Sequence, residues 1–244
     1  MSKPPIILVH GFRGSPLGLE EIAKFLHTAG YDVYAPAVPP FAGSKPLASY
    51  TTKGYANFLK DYIKEHNLKS PILIGHSMGS IIVAATADLY PNICNKKLIL
   101  LSPISTKPAK LFASLTPLSA LLPRRIVDYI TTRYLFVPKN HKLFRRTLKI
   151  THECSNDQPP KKRDVMKSAN FSAHHSIAEF DLNHKKVLLL AGAKDRLIPQ
   201  KSTLSLAQKK SAQTKFIKNT GHLHNYEDPR ATAEAILDFL EPKS

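Results

Sequence analysis

The sequence predicts an α/β domain with a mostly parallel sheet and helices on both of its faces. Short apolar runs alternate along the chain with longer segments of helical periodicity, and this alternation is typical of parallel strands joined by crossover helices. The first apolar run, at residues 6–9, consists only of Ile, Leu and Val, as expected for a strand that is buried on both faces. The chain of 244 residues is long enough for one sizeable core.

The apolar runs predict six strands, and the intervening segments predict five helices. The predicted strands cover residues 5–10, 32–35, 71–75, 98–102, 187–191 and 214–217. The predicted helices, in which apolar residues are spaced three and four apart, cover residues 18–29, 50–66, 78–90, 201–210 and 229–240. The last helix follows Asp228-Pro229, a capping residue and a first-turn proline.

Residues 103–184 interrupt the alternation of strands and helices. The segment is too long for a simple connection, and it contains three amphipathic stretches that are separated by prolines. These stretches lie at residues 111–122, 126–135 and 141–151. We therefore predict a helical cap at 103–184, inserted into a core domain that is formed by residues 1–102 and 185–244.

The apolar residues of the stretch at 111–122 allow two interpretations. They form either the core of the cap or the wall of an apolar pocket or interfacial surface. In the second case Leu118 and Leu121 are candidate substrate-binding residues, and a hydrophobic acyl group in the substrate is favoured.

The charge of the chain is strongly positive, with 35 Lys and Arg against 18 Asp and Glu and a net charge of +17. Residues 103–184 hold 14 Lys and Arg against 6 Asp and Glu, so the excess is denser there but extends along the whole chain. A diffuse excess favours a lysine-rich, soluble surface, and a polyanionic partner is the alternative. No zinc finger, RNA-binding aromatic signature or helix-turn-helix is recognisable, so no specific nucleic-acid partner is predicted.

Features of export and membrane insertion are missing from the sequence. No stretch approaches 18 consecutive apolar residues, so no membrane span is predicted, although weak association with a membrane surface stays open. The first residues run directly into the first strand and lack the pattern of a cleaved signal. Cys94 and Cys154 show no metal-ligand spacing and are interpreted as free thiols of a reducing compartment. We expect a cytoplasmic protein that needs no metal or cofactor, and the sequence predicts no particular oligomeric state.

A G-x-S-x-G pentapeptide occupies residues 75–79, directly after an apolar run and before a helical pattern. A sharp turn from a buried strand into a helix needs small residues on both sides of its central residue, whose side chain it pushes outward. Ser77 is therefore a candidate nucleophile. The backbone N–H of Met78 would lie in the first turn of the helix, where unpaired donors favour an oxyanion. A glycine-serine turn without a chemical role is the alternative interpretation.

A serine hydroxyl needs a base within hydrogen-bond reach, and the base needs an acid that orients it. Asp195 follows the fifth predicted strand, and His222 follows the sixth. The carboxyl ends of parallel strands meet at one edge of the sheet, where reactive groups gather. The segment after the fourth strand, 101–104, contains no carboxylate, which leaves Asp195 as the acid. We expect Lys194 and Arg196 to keep this carboxyl group ionised.

The order Ser, Asp, His and the motifs around these residues resemble the α/β-hydrolase superfamily over nearly the whole chain. Four segments carry the resemblance. They are His10-Gly11-Phe12-Arg13-Gly14-Ser15, the pentapeptide at 75–79, the segment around Asp195, and Gly221-His222 followed by Glu227 and Pro229. The resemblance implies an α/β-hydrolase fold, a serine hydrolase and a second oxyanion donor at the backbone N–H of Phe12.

The resemblance also separates the candidate base from a neighbouring histidine. In the family pattern the base directly follows glycine, which selects His222, and His224 is then expected at the surface or at the rim of a pocket. We expect His10 to fix its loop and His76 to pack or hydrogen bond beneath the turn. Arg13 is either a solvated loop residue or an anion-binding residue at the mouth of the pocket.

These assignments predict hydrolysis of a carboxylic ester through an acyl-enzyme, with a small-molecule ester or acyl compound as the substrate. Hydrolysis of thioesters, amides, lactones or carbon–carbon bonds, perhydrolysis and acyl transfer could use the same residues, because a fold does not determine its substrate. Two other classes of protein also stay open. They are a non-catalytic ligand-binding protein and a polyanion-binding protein on the same fold.

Overall fold

The computed structural model of the protein describes residues 3–105, 126, 135, 137 and 159–242. These residues contain a six-stranded sheet in which every neighbouring pair of strands is parallel. The strands are β1 (Ile6–Val9), β2 (Val33–Tyr34), β3 (Ile72–His76), β4 (Lys97–Leu101), β5 (Lys186–Gly192) and β6 (Gln213–Ile217). All six predicted strands are confirmed, and each boundary lies within one residue of its predicted position.

The described residues form seven α-helices. They are α1 (Glu20–Thr28), α2 (Thr52–Glu65), α3 (Met78–Leu89), α4 (Lys162–His174), α5 (Gln200–Lys210), α6 (His224–Glu227) and α7 (Pro229–Leu240). The five predicted helices are confirmed as α1, α2, α3, α5 and α7, and the start of the first is a separate 3-10 turn at Pro16–Leu19. The Asp228 side chain accepts a hydrogen bond of 2.9 Å from the N–H of Ala231, as expected for the cap of α7.

Both faces of the sheet are covered, which explains why its inner strands, such as β1 and β3, are largely apolar without alternation. Successive side chains of β1 point to opposite faces. Ile7 and Val9 pack in a core with residues of α2 and α3, whereas Ile6 and Leu8 pack in a second core with residues of α1 and α7.

The strand order β2-β1-β3-β4-β5-β6 places the start of the chain in the interior of the sheet. The chain runs from β1 to β2 on one side and then returns to β3 on the other side of β1. The connections therefore diverge at the carboxyl ends of β1 and β3, and such a switch point is where open α/β sheets bind ligands. The loop that carries Phe12 and the turn that carries Ser77 both begin at this place.

Helix α4 lies within the segment predicted as a cap, and this helix was not predicted from the sequence. Val165 and Phe171 of this helix are buried in the same core as Ile7 and Val9. The Phe171 ring lies 4.5 Å from the ring of Tyr55 on α2, measured between centroids. The apolar stripe is narrow and includes small residues, so its periodicity in the sequence is weak.

The other predicted elements of the cap lie largely outside the described residues. The stretches at 111–122 and 141–151 lie outside the described residues. Within the stretch at 126–135, only Ile126, which is helical, and Leu135, which is in a turn, are described. The division into a core domain and an inserted cap stays a prediction.

Candidate active site

The turn after β3 holds Ser77 in a backbone conformation that is rare for a residue with a side chain, with φ 53° and ψ −117°. The glycines on both sides make this turn sterically feasible. A Cβ on Gly75 would lie 2.2 Å from the carbonyl oxygen of Gly79, and a Cβ on Gly79 would lie 2.2 Å from that of Val9. Backbone approaches this close require glycine at both positions.

Backbone hydrogen bonds fix the turn while its central side chain stays partly exposed. The N–H of Ser77 donates to the carbonyl of Leu101 in β4 at 2.9 Å, and the Ser77 carbonyl accepts from the N–H of Ser80 at 2.9 Å. His76 and Met78 on either side are buried. The turn thus presents one hydroxyl group at the carboxyl edge of the sheet.

Ser77, His222 and Asp195 form a continuous chain of hydrogen bonds. The Ser77 Oγ lies 3.0 Å from Nε2 of His222, and Nδ1 of His222 lies 2.9 Å from Oδ2 of Asp195. The carboxylate only accepts, so Nδ1 carries the proton and the neutral ring offers Nε2 as an acceptor to the serine hydroxyl. The side chains of His222 and Asp195 are 3% and 0% exposed, so water scarcely competes for their contact. The fold therefore brings together all three residues that the sequence singled out as a triad.

The environment of Asp195 favours its ionised form. Burial alone acts to raise the pKa of this carboxyl group, but the neighbouring His222 and backbone hydrogen bonds outweigh burial and hold the pKa below its usual value. Oδ1 accepts from the N–H of Leu197 at 2.8 Å and from that of Ile198 at 2.9 Å. From the sequence, Lys194 and Arg196 were expected to supply this effect. That attribution was wrong, because His222 and amides of the loop supply the stabilising contacts.

The peptide groups of His222 are held by three parts of the chain. Its carbonyl accepts from the hydroxyl of Ser102 at 2.8 Å and from Nε2–H of His76 at 3.1 Å. Its N–H donates to the carbonyl of Leu135 at 3.0 Å. Ser102 and Leu135 were not predicted as part of the site, because no local sequence pattern marks contacts between residues so far apart along the chain.

Two further histidines are buried near the turn and stay neutral. His10 accepts a hydrogen bond of 2.9 Å at Nε2 from the N–H of Val38, so Nδ1 carries the proton and donates to the carbonyl of Gly11. Burial lowers the pKa of His10 to about 4. Burial, with a smaller contribution from His222, lowers the pKa of His76 to about 3. As expected, His10 fixes its loop, and His76 hydrogen bonds beneath the turn.

His224 is not a surface or pocket-rim residue, and this expectation was wrong. The residue is 0% exposed, because it begins α6 and its ring lies against α7. The Thr232 hydroxyl donates to the carbonyl of Asp228 at 2.8 Å, and its oxygen lies 3.0 Å from Nδ1 of His224. Burial, followed by the influence of His222, lowers the pKa of His224 to about 4. His224 is therefore a neutral core residue.

The loop after β1 approaches the serine closely. A Cβ on Gly11 would lie 3.1 Å from the Cβ of Ser77, so the backbone next to Phe12 borders the nucleophile. Among the turn and loop hydrogen bonds of the described residues, none uses the amide of Phe12 or of Met78 as the donor. Met78 begins α3, and the first amides of a helix have no acceptor within that helix. The Phe12 ring packs edge-on against that of Phe41, with 5.2 Å between the centroids.

The candidate substrate-binding residues are only partly described. Arg13 is in the left-handed region, with φ 56°, and its guanidinium carbon lies 5.7 Å from the ring centroid of Phe12. This places it on the loop beside the serine, in a partly exposed position. Leu118 and Leu121 lie outside the described residues, as does Cys154, whereas Cys94 is a buried free thiol.

Within the described part of the chain, no group of three or more His, Cys, Asp or Glu side chains could hold a metal ion. No helix in the same residues is long and apolar enough to cross a membrane.

Comparison with known proteins identifies relatives both in sequence and in structure. A relative in Bacillus subtilis (strain 168), named "Uncharacterized hydrolase YugF", is 23% identical over 256 residues, which cover 97% of this chain and 89% of the relative. The bromoperoxidase structure from Bacillus anthracis superposes with a TM-score of 0.86 at 18% identity, covering 98% of this chain and 92% of that one. A thermophilic esterase from Thermogutta terrifontis gives a TM-score of 0.83 at 20% identity, with coverages of 98% and 90%.

The solved structures show the same fold, and the family comparison extends over most of the chain. The model of the alpha/beta hydrolase fold matches residues 4–229. This match spans the strands, the serine turn and both loops that supply Asp195 and His222. The chain belongs to the alpha/beta hydrolase fold family.

Proposed function

We propose that the protein hydrolyses carboxylic esters with Ser77 as the nucleophile. The observation that carries the proposal is the chain of two hydrogen bonds from Ser77 through His222 to Asp195, at 3.0 and 2.9 Å. This arrangement can remove a proton from a serine hydroxyl, which is otherwise a poor nucleophile at neutral pH. The names of two relatives, a hydrolase and an esterase, support the same class of reaction.

In the first half of the proposed reaction, Ser77 Oγ attacks the carbonyl carbon of the ester while Nε2 of His222 takes the hydroxyl proton. The negative charge of Asp195 stabilises the resulting imidazolium and keeps the ring oriented. The tetrahedral intermediate then collapses, and the leaving alkoxide takes the proton from His222. The products of this half are an alcohol and an acyl group on Ser77.

In the second half, a water molecule attacks the acyl carbon and gives one proton to Nε2 of His222. Collapse of the second tetrahedral intermediate breaks the bond to Ser77 Oγ, which recovers the proton. The carboxylic acid leaves, and the starting state is restored. One base therefore serves both halves, because it returns its proton each time.

We assign the backbone amides of Phe12 and Met78 to the oxyanion hole. Support comes from the close approach of Gly11 to Ser77 and from the position of Met78 in the first turn of α3. An amide that is aimed at the developing charge stabilises it without reorganisation during the reaction. Loss of one such donor typically lowers the rate by about 10²- to 10³-fold.

The same residues would accept other acyl compounds, and a substrate screen separates these from esters. The screen compares p-nitrophenyl esters of increasing chain length with acyl-CoA thioesters. If residues 111–122 wall an acyl pocket, kcat/KM should rise by roughly threefold for each added methylene until the pocket is full. A flat profile would instead favour the interpretation of this stretch as the core of the cap.

The central test of the proposed function is Ser77→Ala. We expect the variant to lose at least about 10⁴-fold in ester hydrolysis, and to lose all labelling by a fluorophosphonate probe. Only the nucleophilic oxygen is removed, so the circular dichroism spectrum should stay unchanged. The matched control is Ser49→Ala at an exposed serine, which should keep full activity and labelling. A wild-type protein that is not labelled, or a Ser77→Ala variant that keeps more than about one hundredth of the rate, would contradict the proposal and favour a binding protein.

A further inference from the structure

The loop that carries His222 contacts Leu135 and Val137, the two described residues of the segment at 135–137. The N–H of His222 donates to the carbonyl of Leu135 at 3.0 Å. A Cβ on the preceding residue, Gly221, would lie only 2.6 Å from the same carbonyl oxygen. The segment and the loop are therefore in direct backbone contact, and glycine at 221 permits this contact.

The carboxylate of Glu227 makes a second connection between the same two parts of the chain. Its Oε1 accepts from the N–H of Gly221 at 2.7 Å, and its Oε2 accepts from the N–H of Val137 at 3.1 Å. Glu227 ends α6, where its own N–H donates to the carbonyl of Leu223 at 3.0 Å. The short helix thus fixes the side chain between two amides that belong to different parts of the chain.

We propose that Glu227 is a positioning residue, which joins the segment at 135–137 to the Gly221–His222 loop and thereby holds Nε2 of His222 at Ser77. The inference rests on the proposed function, since it concerns the base of that reaction. Glu227 acts through the backbone amides of Gly221 and Val137 and does not touch the reacting atoms.

The contact can be tested by a substitution that keeps the shape of the side chain and removes one acceptor. An ionised carboxylate can accept at both oxygens, and hydrogen bonds to a charged acceptor are the stronger ones. In Glu227→Gln one oxygen is replaced by an NH₂ group of the same size, which would face a backbone N–H as a second donor. The variant therefore keeps the shape of the side chain and breaks one of the two connections.

We expect Glu227→Gln to lower kcat by about 10- to 100-fold, with KM changed less than about threefold. The rate of labelling by a fluorophosphonate should fall by a similar factor, because it also depends on the alignment of Ser77 and His222. The fraction of molecules that is finally labelled should stay near that of the wild type. Glu227→Asp keeps the charge but is one methylene shorter, so we expect it to recover only part of kcat.

The matched control is Glu234→Gln on α7, an exposed glutamate whose Oε1 lies 3.0 Å from Arg230. It makes the same chemical change away from the site, and we expect kcat and the labelling rate to stay at the wild-type values. A purely structural role of Glu227 would lower the melting temperature and the labelled fraction, but it would leave kcat per labelled site unchanged.

A second variant tests the connection to the segment at 135–137 from its other side. Val137→Pro removes the N–H that donates to Oε2 of Glu227. If both residues act through this one hydrogen bond, the double variant should lose little more than the worse single variant.

The possible outcomes separate this inference from the proposed function. A wild type that is labelled and active, combined with a Glu227→Gln variant whose kcat per labelled site stays within twofold, would overturn the role of Glu227 alone. If the fold-decrease in kcat of the double variant equals the product of the fold-decreases of the two single variants, the connection to Val137 is overturned. A wild type that is neither labelled nor active would overturn the proposed function itself.

Discussion

Two histidines that lie two positions apart have opposite surroundings. His222 faces Ser77 and Asp195, whereas the His224 ring is enclosed beside Thr232. We expect His222→Ala to lose as much ester hydrolysis as Ser77→Ala, and the double variant to lose little more, because members of one catalytic unit are not additive. The measurement is kcat/KM for a p-nitrophenyl ester in the three variants.

His224→Ala should change stability and not chemistry. The substitution removes a buried ring together with its hydrogen bond to Thr232. We expect the free energy of unfolding to fall by about 1–3 kcal/mol. Urea denaturation measures this change, and kcat per labelled site should stay near the wild-type value. If His224→Ala were inactive while folded and His222→Ala were active, the base would have to be reassigned.

The sequence predicted which residues the fold brings together at the candidate site better than it predicted their surroundings. Ser77, Asp195 and His222 could be found because each follows a recognisable strand, and the topology of a parallel sheet brings such positions to one edge. His224 was misplaced because it lies in a polar stretch, and no local pattern shows that α7 covers it. The contacts of Leu135 and Ser102 with His222 depend on the tertiary fold and have no counterpart in local sequence.

At the scale of elements, helix α4 offers a test of how the segment after residue 158 is attached to the core. Phe171 is 2% exposed and packs on Tyr55 of α2. We expect Phe171→Ala to lower the free energy of unfolding by about 3–5 kcal/mol, the usual range for deletion of a buried aromatic ring. Lys167→Ala, at an exposed position of the same helix, should change it by less than about 0.5 kcal/mol. Equal effects of the two substitutions would show that α4 is not anchored by Phe171.

The elements differ in how well the sequence predicts them. β1, β3 and β5 were predicted accurately because burial on both faces produces uninterrupted apolar runs. Helix α4 was not predicted because much of its buried stripe consists of small residues such as Ala169 and Ala173, whose burial depends on the shape of the core. Propensity and periodicity report how apolar a face is, and they do not report what packs against it.

At the scale of the whole molecule, the buried histidines make stability depend on pH. The pKa values of His10 and His224 are lowered from 6.5 to about 4, and that of His76 to about 3. Between these values and 6.5 the unfolded chain binds protons that the folded chain does not bind. The free energy of unfolding therefore falls as the pH decreases below 6.5, by up to about 1.4 kcal/mol per pH unit for each histidine.

Urea denaturation at pH 7, 6 and 5 measures this dependence. We expect the free energy of unfolding to change less steeply with pH in His224→Gln, because one of the histidines that cause the dependence is removed. Asp195 has the same sign, since the pKa of its carboxyl group is also lowered, but the stability that it contributes is lost only at lower pH, below its ordinary value of 3.8. Stability that stays constant from pH 7 to pH 5 would contradict this account.

The positive φ of Ser77 has a consequence for how this sequence could have evolved. With φ 53° and ψ −117°, the position suits a glycine, whereas a residue with a Cβ is strained there by about 1–3 kcal/mol. Selection for stability alone would therefore tend to replace the serine. Under the proposed function, this strain is the energetic cost of presenting a hydroxyl group at the carboxyl edge of the sheet.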